Sequence, residues 1–110
     1  MTDFLCIGNK IVKKAIANTE NNVQIVEKAY KAYSNNKAVC PESVFLRFPW
    51  QGKDRIIGLP SYLEEPESIG IKWISSFPGN REIGKQRASA VIILNDTKTG
   101  VPFACIEGAL

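Results

Sequence analysis

Residues 68–100 read SIGIKWISSFPGNREIGKQRASAVIILNDTKTG, and this stretch decides the fold. From Ile69 to Phe77, apolar residues alternate with small or polar ones, which is the period of a strand with one buried face. By the same alternation, Lys72 points away from the face that carries Trp73. A second apolar run from Arg87 to Leu94 leads through turn residues into a third run, so the sequence predicts a hairpin.

The segment before this stretch predicts two helices. Asn9 is a suitable N-cap for a first helix, and a second amphipathic helix is expected from about Asn22 to Tyr33. Strand-like runs follow without intervening helices, after a short strand at 3–7. We therefore predict an α+β fold, with two N-terminal helices packed on a mixed, largely antiparallel sheet of about five to six strands. The expected later strands are 44–48, 55–59, 69–77, 87–94 and 101–106.

The composition fits one small domain that covers residues 1–110. A hydrophobic content of 45% is enough for a modest core. The formal net charge of +3 is mild and scattered, so we expect neither a nucleic-acid nor a membrane partner. The N-terminus has no leader-like pattern, and no segment approaches the roughly twenty apolar residues of a transmembrane helix. We expect a cytoplasmic protein.

Several kinds of site are disfavoured by the residue content. The chain has no histidine, and its three cysteines are far apart, which excludes the common zinc patterns and any Ser-His or Cys-His nucleophile. No G-x-G-x-x-G pattern occurs. The segment from Gly79 to Lys85 resembles a phosphate loop, but Gln86 stands where that loop needs Ser or Thr. We therefore expect no metal and no cofactor bound by this chain alone.

Three segments carry a family resemblance: GIKWISSFPGN at 70–80, RASAVIILND at 87–96 and TGVPFACIEGAL at 99–110. With them the chain resembles the ornithine cyclodeaminase and μ-crystallin family, and within it the dehydrogenases that make 2,3-diaminopropionate for siderophores and peptide antibiotics. The resemblance implies a substrate-binding and dimerisation domain. In the family an Arg-Thr-Ala-Ala motif and a Rossmann domain that binds NAD(H) or NADP(H) come next, and neither is within these 110 residues.

Arg47 and Lys72 are the leading site candidates. Arg47 would share a strand face with Phe45, where a guanidinium is costly unless it is paired with a substrate carboxylate or an internal acid. The resemblance implies that Arg47 binds the substrate carboxylate. It also implies that Lys72 is catalytic, in contact with that carboxylate or with the reacting carbon near the nicotinamide. The alternatives are an intramolecular salt bridge for Arg47 and an exposed edge lysine for Lys72.

Arg87 and Ser89 are the other substrate-binding candidates. Arg87 agrees with the diaminopropionate-type members, and an extra cation suits a substrate with more than one carboxylate, such as a glutamate-derived adduct. Ser89 is expected to hydrogen-bond the substrate or the cofactor amide, although a solvent-facing strand serine is the alternative. Ile57 and Gly58 stand where ornithine cyclodeaminases carry a catalytic glutamate, which argues against ornithine deamination.

Two functions remain open. In the first, the chain is a truncated part of an NAD-dependent enzyme that transfers hydride from a substrate Cα and hydrolyses the resulting imine, with Arg47 and Lys72 orienting an amino-acid-like substrate. In the second, it is a stand-alone binding or assembly module without chemistry. In either case we expect a homodimer, because apolar runs and a sheet edge need cover. We expect the 110-residue chain by itself to be catalytically inactive.

Overall fold

The computed structural model describes residues 3–50 and 52–109. Two α-helices lie near the N-terminus, α1 (Asn9–Ala15) and α2 (Thr19–Ser34). The helix α2 begins earlier than the predicted start at Asn22, because the Asn18 side chain accepts a hydrogen bond from the Asn21 N–H at 3.0 Å. Asn18 is therefore the N-cap of α2.

In the described part of the chain, a seven-stranded mixed sheet forms the body of the fold. The strands are β1 (Leu5–Ile7), β2 (Ala38–Val39), β3 (Val44–Arg47), β4 (Arg55–Leu63), β5 (Ser68–Ser76), β6 (Ala88–Asn95) and β7 (Pro102–Glu107). The strand order is β1-β7-β6-β5-β4-β2, and β3 pairs with β4 beside β2. Within the described residues β1 and β7 pair in parallel, and the other neighbours pair antiparallel. The α+β class is thereby confirmed.

Two elements were not predicted from the sequence. The strand β2 has two residues, too few to show an alternating pattern. The other is a 3₁₀ helix over Pro78–Ile83, inside the connection between β5 and β6. It ends at Gly84, whose φ of 74° lies in the left-handed region that glycine adopts easily. This third helix folds the connection into a compact unit.

The strand β4 also runs beyond its predicted end at Leu59, through Pro60 to Leu63. Proline lacks a backbone donor and is usually excluded from the middle of a sheet. Here Pro60 lies opposite Ile71 of β5, at a place where no strand among residues 3–50 and 52–109 pairs with the other side of β4. The strand β3 pairs only with Arg55–Gly58, and β2 pairs only with Tyr62 and Leu63. The gap between these partners lets the strand continue through the proline.

The strand register divides the sheet into two faces. Residues directly opposite each other on neighbouring strands project to the same side, and the side alternates along each strand. Lys72 lies opposite Leu59 and Ile92, and we call this side the Lys72 face. Trp73 lies opposite Gly58 and Val91 on the other side, the Trp73 face. The predicted separation of Lys72 from Trp73 is confirmed.

Much apolar surface stays open in this chain. Ala104 is buried at 2% exposure, but large apolar side chains on both the helices and the sheet are exposed. The helix α1 contacts β7, and α2 contacts β2 and β4. Leu46 and Trp73 of the Trp73 face are 46% and 43% exposed, and Tyr30 of α2 is 73% exposed. No helix in the described part of the chain is long and apolar enough to cross a membrane.

The turn between β6 and β7 depends on Asp96. Its Oδ1 accepts hydrogen bonds from the N–H groups of Lys98 and Thr99 at 2.9 and 2.8 Å, and from the Thr99 hydroxyl at 3.1 Å. Gly100 closes the turn with a φ of 75°. The hydrogen bonds, that of the Thr99 N–H first, hold the pKa of Asp96 below its ordinary value.

We expect this turn to make stability depend on pH. Because the pKa of Asp96 is lower in the folded chain, its carboxylate stabilises the fold above the unfolded-state pKa, and this contribution is lost as the pH falls through the folded-state pKa. Asp96→Asn keeps an acceptor but no charge. At neutral pH the wild-type chain should have a higher urea midpoint than the Asp96→Asn variant. The difference between the two midpoints should shrink below about pH 4. A difference that stays constant with pH would contradict this role of the charge.

Candidate functional site

Arg47 and Lys72 lie on the same face of the sheet. Arg47 is opposite Arg55, and Arg55 is opposite Ser76. Ser76 and Lys72 are four residues apart on β5, so their side chains project to the same side. A shared carboxylate would be impossible if the two cations lay on opposite faces. The register therefore meets the geometric condition that the predicted binding role requires, while the role itself stays a prediction.

The two cations are separated by a strip of apolar residues. Four residues along β5 correspond to about 14 Å, and Arg47 lies two strands away, about 10 Å across the sheet. The guanidinium of Arg47 is 5.6 Å from the ring centroid of Phe45, which is one step along the face toward Lys72. The guanidinium of Arg47 is thus beside an aromatic ring of the same face. The strip between them consists of Phe45, Ile57, Ile74 and Ala90, which lie opposite one another in turn.

The alternative explanations, a salt bridge for Arg47 and an exposed edge position for Lys72, have no support in the structure. Arg47 forms no salt bridge with any residue in the two described ranges. Lys72 belongs to β5, which has β4 on one side and β6 on the other. It is thus an exposed residue of a central strand, and the explanation that it protects a sheet edge is wrong. Both cations remain available to a ligand.

The connection between β5 and β6 brings Arg87 to the end of the Lys72 face that carries Ser76. The Asn80 side chain donates to the Gln86 carbonyl at 3.0 Å, and the Phe77 N–H donates to the Arg87 carbonyl at 2.9 Å. These bonds return the chain beside Ser76. Arg87 Nη1 then donates to Ser76 Oγ at 2.7 Å, and Ser76 is only 5% exposed. One guanidinium nitrogen of Arg87 is thereby held at the Ser76 hydroxyl.

Ser89 lies elsewhere. It is opposite Ser75, on the Trp73 face of the sheet. Strand alternation therefore directs it away from Arg47 and Lys72. Three of the four predicted site residues, Arg47, Lys72 and Arg87, lie on the Lys72 face, and a contact between Ser89 and a ligand on that face is not supported.

Arg55 is a site candidate that the sequence analysis missed. In the sequence Arg55 is only the first residue of a predicted apolar strand, and the sequence does not show which residues lie opposite it. The register places it between Arg47 and Ser76 on the Lys72 face. Its Nε is buried and has no hydrogen-bond partner among the described residues. An arginine at the start of an apolar strand is a weak signal, and only the pairing with β3 reveals its position.

The concave surfaces of the chain lie away from these cations. One cavity of about 270 Å³ is lined by Glu67, Asp96 and Phe103 among others, at the end of the sheet near the β6–β7 turn. An open apolar groove of about 410 Å³ follows α2. Neither is lined by Arg47 or Lys72. Both side chains are exposed, so they lie on an open part of the Lys72 face.

The chain is similar to known proteins over nearly its whole length. The model of the Ornithine cyclodeaminase/mu-crystallin family matches residues 9–110. The N-((2S)-2-amino-2-carboxyethyl)-L-glutamate dehydrogenase of Staphylococcus aureus is 41% identical over 114 residues, which cover 98% of this chain and 34% of that protein.

Solved structures agree in fold. The Thermococcus litoralis Δ1-pyrroline-2-carboxylate reductase, in complex with NADH and L-proline, superposes with a TM-score of 0.89 at 32% identity, over 96% of this chain and 32% of that one. An archaeal alanine dehydrogenase dimer with bound NAD superposes with a TM-score of 0.82 at 30% identity, over 94% of this chain and 31% of that one. This chain spans about a third of the length of these relatives.

We expect the 110-residue chain not to bind NAD⁺ by itself, because it contains no glycine-rich turn that opens a helix on a dinucleotide phosphate. Calorimetric titration should show no saturable binding. The reductase from Thermococcus litoralis, whose structure holds NADH, is the positive control. A dissociation constant below about 100 µM would contradict the expectation, since diffuse charge does not supply the corresponding 5.5 kcal/mol or so.

Proposed function

This chain belongs to the ornithine cyclodeaminase/mu-crystallin family, and we propose that it is the substrate-binding and dimerisation domain of a cytoplasmic, NAD-dependent enzyme of that family. The observation that carries the proposal is the placement of Arg47 and Lys72 on one open face, with the Arg47 guanidinium beside the Phe45 ring. In this proposal the two cations hold the α-carboxylate of an amino-acid substrate, and Lys72 is the catalytic residue beside the reacting carbon.

The proposed substrate is an amino acid of 2,3-diaminopropionate biosynthesis. Support comes from the 41% identity to a dehydrogenase named for an aminocarboxyethyl derivative of glutamate. Arg87 adds a further cation on the same face, as a substrate with several carboxylates would need. The residues of this chain do not fit a dinucleotide, so the proposal assigns NAD to another part of the enzyme. This domain would bind and orient the substrate.

Substrate binding is tested by NMR titration of the chain with L-glutamate. We expect millimolar affinity, because the Lys72 face is open to water. Arg47→Ala and Lys72→Ala should each weaken binding about two- to five-fold, since an exposed charge pair contributes no more than about 1 kcal/mol. Amide chemical shifts should move at residues of β3, β4 and β5 that surround the two cations.

Matched controls remove one positive charge elsewhere. Arg81→Ala changes an exposed residue of the 3₁₀ helix, and Lys28→Ala changes an exposed residue of α2. Neither should alter the affinity by as much as the site variants. If all four substitutions weaken binding equally, the attraction comes from net charge, and the proposed site is wrong.

We also propose that the chain forms a homodimer through the Trp73 face. Leu46 and Trp73 expose apolar surface there, and exposed large apolar side chains on one sheet face are typical of an interface. The alanine dehydrogenase relative has a dimeric structure. The expected interface buries well over about 1,000 Å² in total, and a two-fold axis would pair the same patch on both copies.

Sedimentation equilibrium tests the dimer. At tens of micromolar the chain should sediment at twice its own mass. Leu46→Glu places a charge on the Trp73 face and should shift the equilibrium toward monomer, because the carboxylate must be desolvated in the interface. Tyr30→Glu changes an exposed residue of α2 and should leave the dimer intact. A wild-type monomer at this concentration would overturn the proposal.

A further inference from the structure

Cys6 and Cys105 lie directly opposite each other in the folded chain, although they are far apart in the sequence. The parallel pairing of β1 with β7 sets Cys6 opposite Cys105. Cys105 lies opposite Ile93 of β6, which in turn lies opposite Ile71 of β5. Residues directly opposite each other project to the same side of a sheet, so both thiol side chains lie on the Trp73 face. The sheet thereby brings two of the three cysteines together.

The spacing of this pair suits a disulfide bond. Neighbouring strands lie about 4.8 Å apart, so the Cα atoms of directly opposite residues are separated by about 5 Å. Disulfides form between cysteines whose Cα atoms lie about 4.4–6.8 Å apart and whose side chains do not point away from each other. Cys6 and Cys105 meet both conditions, and both are free thiols in this structure.

The third cysteine cannot take part in this bond. Cys40 follows β2, which lies at the opposite end of the strand order from β1. Four strand spacings, or roughly 19 Å, separate β2 from β7, whereas cysteines more than about 7 Å apart are not bridged without backbone movement. Cys40 is exposed, as Cys6 is, so access to reagents does not distinguish the two. Cys40 is therefore an internal control for proximity.

We propose that Cys6 and Cys105 form a reversible disulfide when the chain reacts with a low-molecular-weight disulfide such as oxidised glutathione. Cys6 is exposed and Cys105 is partly covered, so the Cys6 thiolate attacks one sulfur of the reagent first, and one thiol leaves. The Cys105 thiolate then attacks the Cys6 sulfur of this mixed disulfide and releases the second thiol. Two cysteine thiols are oxidised, the reagent is reduced to two thiols, and the two cysteine protons pass to the released thiolates.

The bond is a covalent clamp between the first and last strands. The strand β1 has three residues, and β7 is its one strand partner among the described residues. Leu5 of this strand is 59% exposed. The helix α1 follows directly at Asn9 and contacts β7. Oxidation therefore fixes β1 and the start of α1 to β7, and reduction releases them. The clamp is independent of the proposed substrate site, which lies on the other face of the sheet.

Oxidation of the reduced 110-residue chain with oxidised glutathione tests the pairing. The intact mass should show the loss of two hydrogens and no bound glutathione. One thiol per chain should still react with N-ethylmaleimide, and a non-reducing peptide map should join Cys6 to Cys105. Cys40→Ser should form the same bond, with no thiol left to react. Cys6→Ser and Cys105→Ser should form no intrachain bond and should retain glutathione as a mixed disulfide.

The unfolded chain is a matched control for proximity. In urea the same three thiols are present, but a bond between Cys6 and Cys105 closes the longest of the three possible loops and is the least favoured pairing. Most bonds formed there should include Cys40. The proposal requires that Cys6 and Cys105 pair preferentially in the folded chain alone. The same mixture in both states, a bond between two chains, a persistent mixed disulfide on the wild-type chain or no reaction would overturn it.

Hydrogen exchange measures the clamp. In the wild-type chain, the amides of Leu5–Ile7 that bond to β7 should exchange at least about ten-fold more slowly after oxidation, because β1 can no longer open locally. Oxidised Cys40→Ser should show the same protection. Cys6→Ser changes an exposed residue and should fold, and its exchange should not respond to the oxidant. An intrachain bond without added protection of β1 would refute the clamp.

Discussion

The register between β4, β5 and β6 is the constraint on which the rest of the structure depends. At Gly70 the backbone of the neighbouring strand comes so close that an added Cβ would lie 2.5 Å from the Ile93 carbonyl oxygen. Glycine is the residue that permits this approach. A shift of one residue would move every side chain of a strand to the other face. Lys72 would then leave the face of Arg47, and the candidate site would no longer exist.

The sequence was sufficient for the parts of the fold that local patterns determine. Alternation along β5 predicted that Lys72 and Trp73 face opposite ways, and the helix and strand runs predicted the α+β class. The sequence did not show which strands pair when they are distant along the chain. The position of Arg55 beside Arg47 depends on how β3 meets β4, and the continuation of β4 through Pro60 depends on a gap between β3 and β2. These are properties of the assembled sheet.

The same limit explains the different outcomes for Arg87 and Ser89. Both lie in the RASA segment, two residues apart, and sequence similarity assigned both to the substrate pocket. The register turns Ser89 to the Trp73 face, whereas the bonds of Asn80 and Phe77 return Arg87 to Ser76 on the other side. A motif therefore locates a segment reliably but leaves open the face on which each side chain lies. That choice needs the strand partners.

The pairing of the first strand with the last has a consequence for how the chain folds. Leu5 lies beside Ala104, so most of the 110 residues separate these two neighbouring strands. Closing so long a loop costs entropy before the contact stabilises anything, whereas the successive hairpins from β3 to β7 involve short connections. During synthesis on the ribosome, β1 has no partner until β7 has emerged. The face with Arg47, Arg55 and Lys72 requires only β3, β4 and β5, so it can assemble while the parallel edge of the sheet is still unformed.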